Sequence, residues 1–171
     1  MTPKRSAGLL LYRLRPGGAA EVLIAHMGGP FWARKDAGAW SIPKGEYAEG
    51  EDPFEAACRE FGEELGHPVP ATEFTPLGEV AQSGGKRVLA WAAEGDLDPA
   101  AAVSNTFELE WPRGSGVVRT FPEVDRVAWY GVAEARSRLV KGQVPFLDRL
   151  LELLASGAGA AEASSGDTGC R

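Results

Sequence analysis

Cysteine is nearly absent from this chain, with only Cys58 and Cys170 present. Two thiols so placed give neither a disulfide framework nor a zinc-binding spacing. Cys58 falls within a helical pattern and Cys170 in the terminal tail, so no bridge between them is expected, and a reducing cytoplasm is the compartment that fits. Long apolar runs are missing too. Nothing approaches the roughly 18 consecutive apolar residues of a membrane span. The apolar segment 7–12 is cut off by Arg13 and reads as a strand rather than a signal sequence. Basic residues are outnumbered, with 18 Lys and Arg against 24 Asp and Glu and a formal net charge of −6. That balance excludes a general nucleic-acid binder. It leaves room for a phosphorylated small-molecule substrate, because a bound cation inverts the local charge. There is no internal repeat.

What remains is an ordinary globular composition, 44% hydrophobic over 171 residues, enough for one domain with a core. Residues 6–13 and 21–26 read as a β-hairpin around Pro16-Gly17-Gly18. A glycine-rich loop over 27–39 leads to a short extended piece at 40–43. Residues 52–65 form the clearest helix: Phe54, Ala57, Cys58, Phe61 and Leu65 recur at helical spacing. Asp52-Pro53 starts it, and Gly66 and Pro68 stop it. Strands are predicted over 72–82, 86–93, 106–111 and 127–131, and helices over 133–140 and 144–155. The stretch 94–105 is polar and irregular. The span 94–122 is long for a connection in a compact domain and is expected to line a substrate site. The domain is set at 1–155. Residues 156–171, rich in Gly, Ala and Ser, are expected to be disordered.

The chemistry concentrates around the first predicted helix. Gly45 is followed by Glu51 after five residues, and seven further on come Arg59-Glu60-Phe61-Gly62-Glu63-Glu64-Leu65-Gly66. At about 100° per residue, Glu60, Glu63 and Glu64 share one helix face, about 120° from the apolar stripe. Three like charges within a turn repel each other and gain nothing for the helix without a cation. Mg²⁺ prefers such hard oxygen donors and keeps several waters.

This pattern resembles the Nudix box, G-x5-E-x7-R-E-U-x-E-E-x-G-U with U apolar. All seven fixed Gly, Glu and Arg positions are present, a chance match on the order of one in a million or rarer. The last U is His67 instead, a departure in packing rather than chemistry. Trp40-x-Ile42-Pro43-Lys44-Gly45 is similar to the family's usual lead-in. Leu77-Gly78-Glu79-Val80 and Glu123-Val124-Asp125-x-x-x-Trp129 are similar to later strands of Nudix domains that cut dinucleoside polyphosphates. The resemblance spans roughly residues 6 to 154.

The resemblance implies an α/β fold, a Nudix-type α/β/α sandwich with a mixed sheet and a central box helix. It implies a Mg²⁺-dependent pyrophosphohydrolase, with Mn²⁺ as the alternative metal, acting on a nucleoside diphosphate linked to a further group. A dinucleoside polyphosphate such as diadenosine tetraphosphate would be the foremost substrate, with a nucleoside triphosphate, a nucleotide sugar, a diphosphoinositol phosphate or a capped RNA end as alternatives. Glu60, Glu63 and Glu64 would be metal ligands, and one of them or another acid would orient the attacking water. Arg59 would pair with a glutamate, Glu51 foremost. Lys44, Gly45, Trp111 and Arg113 are the candidate substrate contacts, with Lys35, Lys86, Arg87 and Arg119 as further phosphate candidates. Glu79, Glu108 and Glu123 are the acids outside the box that could join the site, Glu108 and Glu123 ahead. His26 and His67 read as structural. Trp32 and Trp91, like Trp111, are able to stack a base or pack a core. A monomer or homodimer fits. The competing class is a nucleotide-binding sensor with little turnover.

Overall fold

The computed structural model describes residues 3–157 and 169–170. Its centre is strand β1 (Arg5–Leu14), which forms a hairpin with β2 (Ala20–Met27) through the predicted turn. The short strands β3 (Trp40–Ser41) and β4 (Lys44–Glu46) add to β2 and β1. After helix α1 (Pro53–Leu65) come β5 (Thr75–Ala81) and β6 (Arg87–Glu94), and β6 lies parallel to β1. Strands β7 (Thr106–Glu110) and β8 (Val118–Pro122) form a separate two-stranded ribbon. Strand β9 (Val124–Gly131) runs antiparallel to β2 and completes a seven-stranded mixed sheet. Helices α2 (Val132–Arg138) and α3 (Val144–Ala155) close the chain's described fold.

The sheet is buried on both faces, which explains why β1 reads as an unbroken apolar run rather than an alternating one. Ala7, Leu9 and Leu11 project toward α1, where they meet Ala57, Phe61 and Leu65. Leu10 and Tyr12 project the other way, into a core with Trp40, Ile42, Phe146, Leu147 and Leu150. The layers are therefore α1, sheet, then α2 with α3: the α/β/α sandwich read from the sequence. Helix α1 carries its signals as expected. Asp52 accepts hydrogen bonds from Phe54 N and Glu55 N, and Gly66 closes the helix at φ 65°, a left-handed turn that suits glycine.

Three expectations change. Residues 118–122, unassigned from sequence, are a strand, because Phe107 and Phe121 pair across the ribbon. Strand β9 starts at Val124, three residues earlier than expected, because pairing with β2 continues through a register shift at His26 and Met27. Cys58 and Cys170 form a disulfide, with Cα atoms 5.7 Å apart. Cys58 lies half-buried at the border of the apolar cluster under α1, and Cys170 packs against the same cluster. Proximity overturns the expectation of two unlinked thiols, and with it the support that low cysteine content lent to a reducing compartment. The disorder expected over 156–171 concerns residues mostly outside the described ones. Among those described, no helix is long and apolar enough to cross a membrane.

Candidate active site

Gln143 fixes the approach to the site. It is fully buried; its Oε1 accepts from Ile42 N at 2.9 Å, and its Nε2 donates to Ser41 Oγ at 3.0 Å and Gln82 Oε1 at 2.9 Å. The segment between β3 and β4 is thereby held in place. Pro43 O accepts from Leu9 N, and Lys44 and Gly45 pair with Gly8 and Ala7. Gly45 then passes directly over Glu60: a Cβ built on Gly45 would lie 2.0 Å from Glu60 Cδ. The glycine is required by that carboxylate, and this contact is the physical content of the spacing between the first glycine and the Arg-Glu pair.

Arg59 ties the loop to the helix. Its guanidinium donates to Glu51 Oε1 at 2.9 Å, to Glu60 Oε1 at 2.9 Å and to Glu63 Oε1 at 3.3 Å. Glu51 also accepts from Ala48 N at 3.1 Å, so one carboxylate fixes the loop backbone and the arginine together. These hydrogen bonds, that from Ala48 N foremost, hold the Glu51 carboxyl below its ordinary range.

Glu64, like Glu60, is half-buried, whereas Glu63 is exposed. Glu64 accepts through Oε2 from Lys44 N at 3.2 Å. Burial pushes its pKa up to about 8 against the opposing pull of Lys44, and the charges of Glu60 and Glu123 raise it further. Glu60 is raised as well, by burial first and then by Glu63, with Arg59 pulling the other way. Lys44 is lowered, chiefly by burial. Burial and mutual repulsion thus disfavour charge on Glu60 and Glu64, a cost that a cation beside them would offset and that Arg59 offsets in part at Glu60. Among the described residues no three acidic side chains already converge as a finished cage. Hard oxygens, a charge deficit of cations and incomplete protein ligation suit Mg²⁺, which keeps waters in its shell. Glu60, Glu63 and Glu64 would hold it.

Of the three acids outside the box, Glu123 is the one whose charge reaches both Glu60 and Glu64. It sits between β8 and β9, its N–H donating to Asn105 O and its carbonyl accepting from Gly28 N, both at 2.9 Å. Glu79 pairs with Arg87 on the sheet. Glu108 is on the ribbon, exposed. Trp111 and Arg113 are at the ribbon's far end, next to its turn, rather than beside the glutamates. His26 is buried between the Asp125 carboxylate and Lys35 O, 2.6 Å from each, and supports the loop after β2.

Residues 2–150 match the family model of the NUDIX domain. The chain belongs to the NUDIX family. A Nudix relative, the 8-oxo-(d)GTP phosphatase of Mycolicibacterium smegmatis, is 34% identical over 78% of this chain and 48% of its own length, so the chain spans about half of that protein. Among solved structures, the Nudix hydrolase RenU of M. smegmatis is 28% identical, with a TM-score of 0.55 over 88% of this chain and 85% of that one. An Ap4A hydrolase of C. elegans shares the Nudix fold at 22% identity, with a TM-score of 0.62 over 88% of this chain and 98% of its own.

Proposed function

We propose that this Nudix chain is a Mg²⁺-dependent pyrophosphohydrolase that cuts a phosphoanhydride in a nucleoside diphosphate linked to a further group. The observation that supports it most is Glu64, half-buried with its carboxylate accepting from Lys44 N and within reach of the charges of Glu60 and Glu123, on the helix whose Glu60 and Glu63 the Arg59–Glu51 brace holds. Holding a half-buried carboxylate beside two other acids costs free energy that a bound cation would offset. Bound Mg²⁺ would neutralise phosphate charge and support the leaving oxygen. The chain's own residues position. Gly45 lets the backbone pass close over the Glu60 carboxylate, Lys44 offers positive charge beside Glu64, and Arg59 fixes the carboxylates of Glu60 and Glu63. Water adds to phosphorus, the P–O bond to the leaving phosphate breaks, that phosphate takes the electron pair, and the water proton passes to a carboxylate of the cluster. The substrate class is nucleoside polyphosphates. The 8-oxo-(d)GTP phosphatase activity of the M. smegmatis relative and the dinucleoside polyphosphate features of the sequence both fall within it.

The test is product release in Mg²⁺ over a panel containing oxidised and normal purine nucleoside triphosphates, diadenosine tetraphosphate, ADP-ribose and nucleotide sugars. Glu63→Gln and Glu64→Gln serve as controls. A strong activity lost by orders of magnitude in both is expected. Near-normal turnover in both variants sinks the assignment, and nucleotide binding without any product points to a sensor.

A further inference from the structure

The glutamate site leaves the β7–β8 ribbon without a role. Among the described residues it pairs only with itself, outside the main sheet. Phe107 stands opposite Phe121 and Leu109 opposite Arg119, and Trp111 N donates to Val117 O. Residues directly opposite share a face. One face therefore carries Phe107, Leu109, Trp111, Val117, Arg119 and Phe121, and the other carries Glu108 and Glu110 with Thr120 and Val118 opposite them. On the apolar face Trp111 is 37% exposed and Val117 49%. A two-stranded ribbon has little stability of its own, and such a patch marks a binding surface.

Phe107 shows where that face points. Its Cζ would be 3.0 Å from a Cβ on Gly29, so it looks toward the loop after β2. That loop presents Phe31, 61% exposed, edge-on to Trp32 at 4.9 Å, with Lys35 Nζ 3.5 Å from its ring centre. The loop is anchored by its backbone: Gly28 N donates to Glu123 O, and His26 Nε2 donates to Lys35 O. The ribbon's root is equally fixed, with Asn105 N donating to Glu63 O at 2.9 Å. Two elements bearing aromatic rings and cations thus lie side by side, and both are tied by their main chains to acidic residues of the site.

We propose that loop 28–35 and the apolar face of the ribbon are the walls of a nucleobase cleft, with Phe31 and Phe107 providing ring surface and Lys35 and Arg119 positive charge. The occupant is the base of a nucleotide whose phosphates reach the glutamates. Continuity with the site and cations on aromatic walls favour a flat, anionic ligand over a second copy of the chain. The cleft's phosphate end rests on the hydrolase reading above.

The experiment is calorimetric binding of AMP, GMP and ribose 5-phosphate in Mg²⁺ to the wild type, Phe31→Ala and Trp111→Ala, with light scattering on each. Both side chains are exposed enough for the variants to fold. The wild type should hold at least one nucleotide about tenfold or more tighter than ribose 5-phosphate, and Phe31→Ala should remove most of that margin. Ribose 5-phosphate affinity should not move. A wild type blind to the base, or a margin intact in both variants, overturns the cleft. So does a dimer that dissociates in the variants while the margin stands, which assigns the face to a second copy. Binding requires no turnover, so a base-dependent margin in a protein that hydrolyses nothing would sink the hydrolase reading and keep the cleft.

Discussion

Replacing Glu64 by glutamine should stabilise the metal-free protein at alkaline pH while destroying its metal response. The folded chain holds the Glu64 proton up to about pH 8, whereas the unfolded chain releases it near 4.5. Between those values the folded state binds the extra proton, so stability falls as pH rises. At about 1.4 kcal/mol per unit, the loss between pH 5 and 8 is on the order of 4 kcal/mol, starting from a Glu64 raised to about 8. For a domain of this size that corresponds to roughly 10 °C in Tm. The substituted amide cannot ionise but still offers an acceptor to Lys44 N, so the variant should lack this component. The assay is thermal unfolding of both proteins in EDTA at pH 5 and 8. The wild type should lose stability relative to the variant across that range, and added Mg²⁺ at pH 8 should raise the wild-type Tm and leave the variant's nearly unchanged. Equal pH dependence in the two proteins would refute the placement of a buried, proton-holding carboxylate at the site.

Gly45→Ala should abolish turnover with near-native circular dichroism, because the added methyl collides with Glu60; normal kcat would show that the loop can move aside. Arg59→Lys should lower kcat/KM about tenfold, since one ammonium cannot bridge Glu51, Glu60 and Glu63 together, and steady-state kinetics with a circular dichroism control will show it. Gln143→Ala should cost about 2–3 kcal/mol in urea unfolding, because Ile42 N loses its buried acceptor. Cys58→Ser should lower Tm by roughly 10 °C in non-reducing buffer, from about 4–5 kcal/mol of loop-closure entropy over a separation of 112 residues, and match the wild type once dithiothreitol is present.

The parts of the fold visible in sequence were those written locally. Asp52-Pro53 and Gly66 mark the ends of α1 because capping depends on residues a few positions apart. The β1–β2 hairpin follows from its apolar runs and glycine turn. The carboxylate face of α1 follows from helical periodicity. What escaped was decided by distant pairing. Strand β8 has mixed polarity and ends in Pro122, so only its partner β7 makes it a strand. Glu108 and Glu123 look alike as acids. The backbone bonds of Glu123 to Asn105 and Gly28 set it at the junction facing the glutamates, while Glu108 follows the outer face of the ribbon. The disulfide is likewise a product of tertiary placement that no spacing announces.

The clamp at His26 grips the loop after β2 through a carbonyl, and the opposite end of that loop is held through an amide of Gly28. Neither grip consults the side chains of residues 31–35. Phe31, Arg34 and Lys35, which are exposed, can therefore be exchanged without loosening the frame that presents them, whereas Trp32 packs against the core, and a ligand meeting them finds a loop already arrested. The segment behaves as a socket with replaceable fittings: its position is set by the sheet, and its taste by a few exposed side chains. An engineer seeking a new preference for this scaffold would randomise those positions first and leave His26, Asp125 and Gly28 untouched.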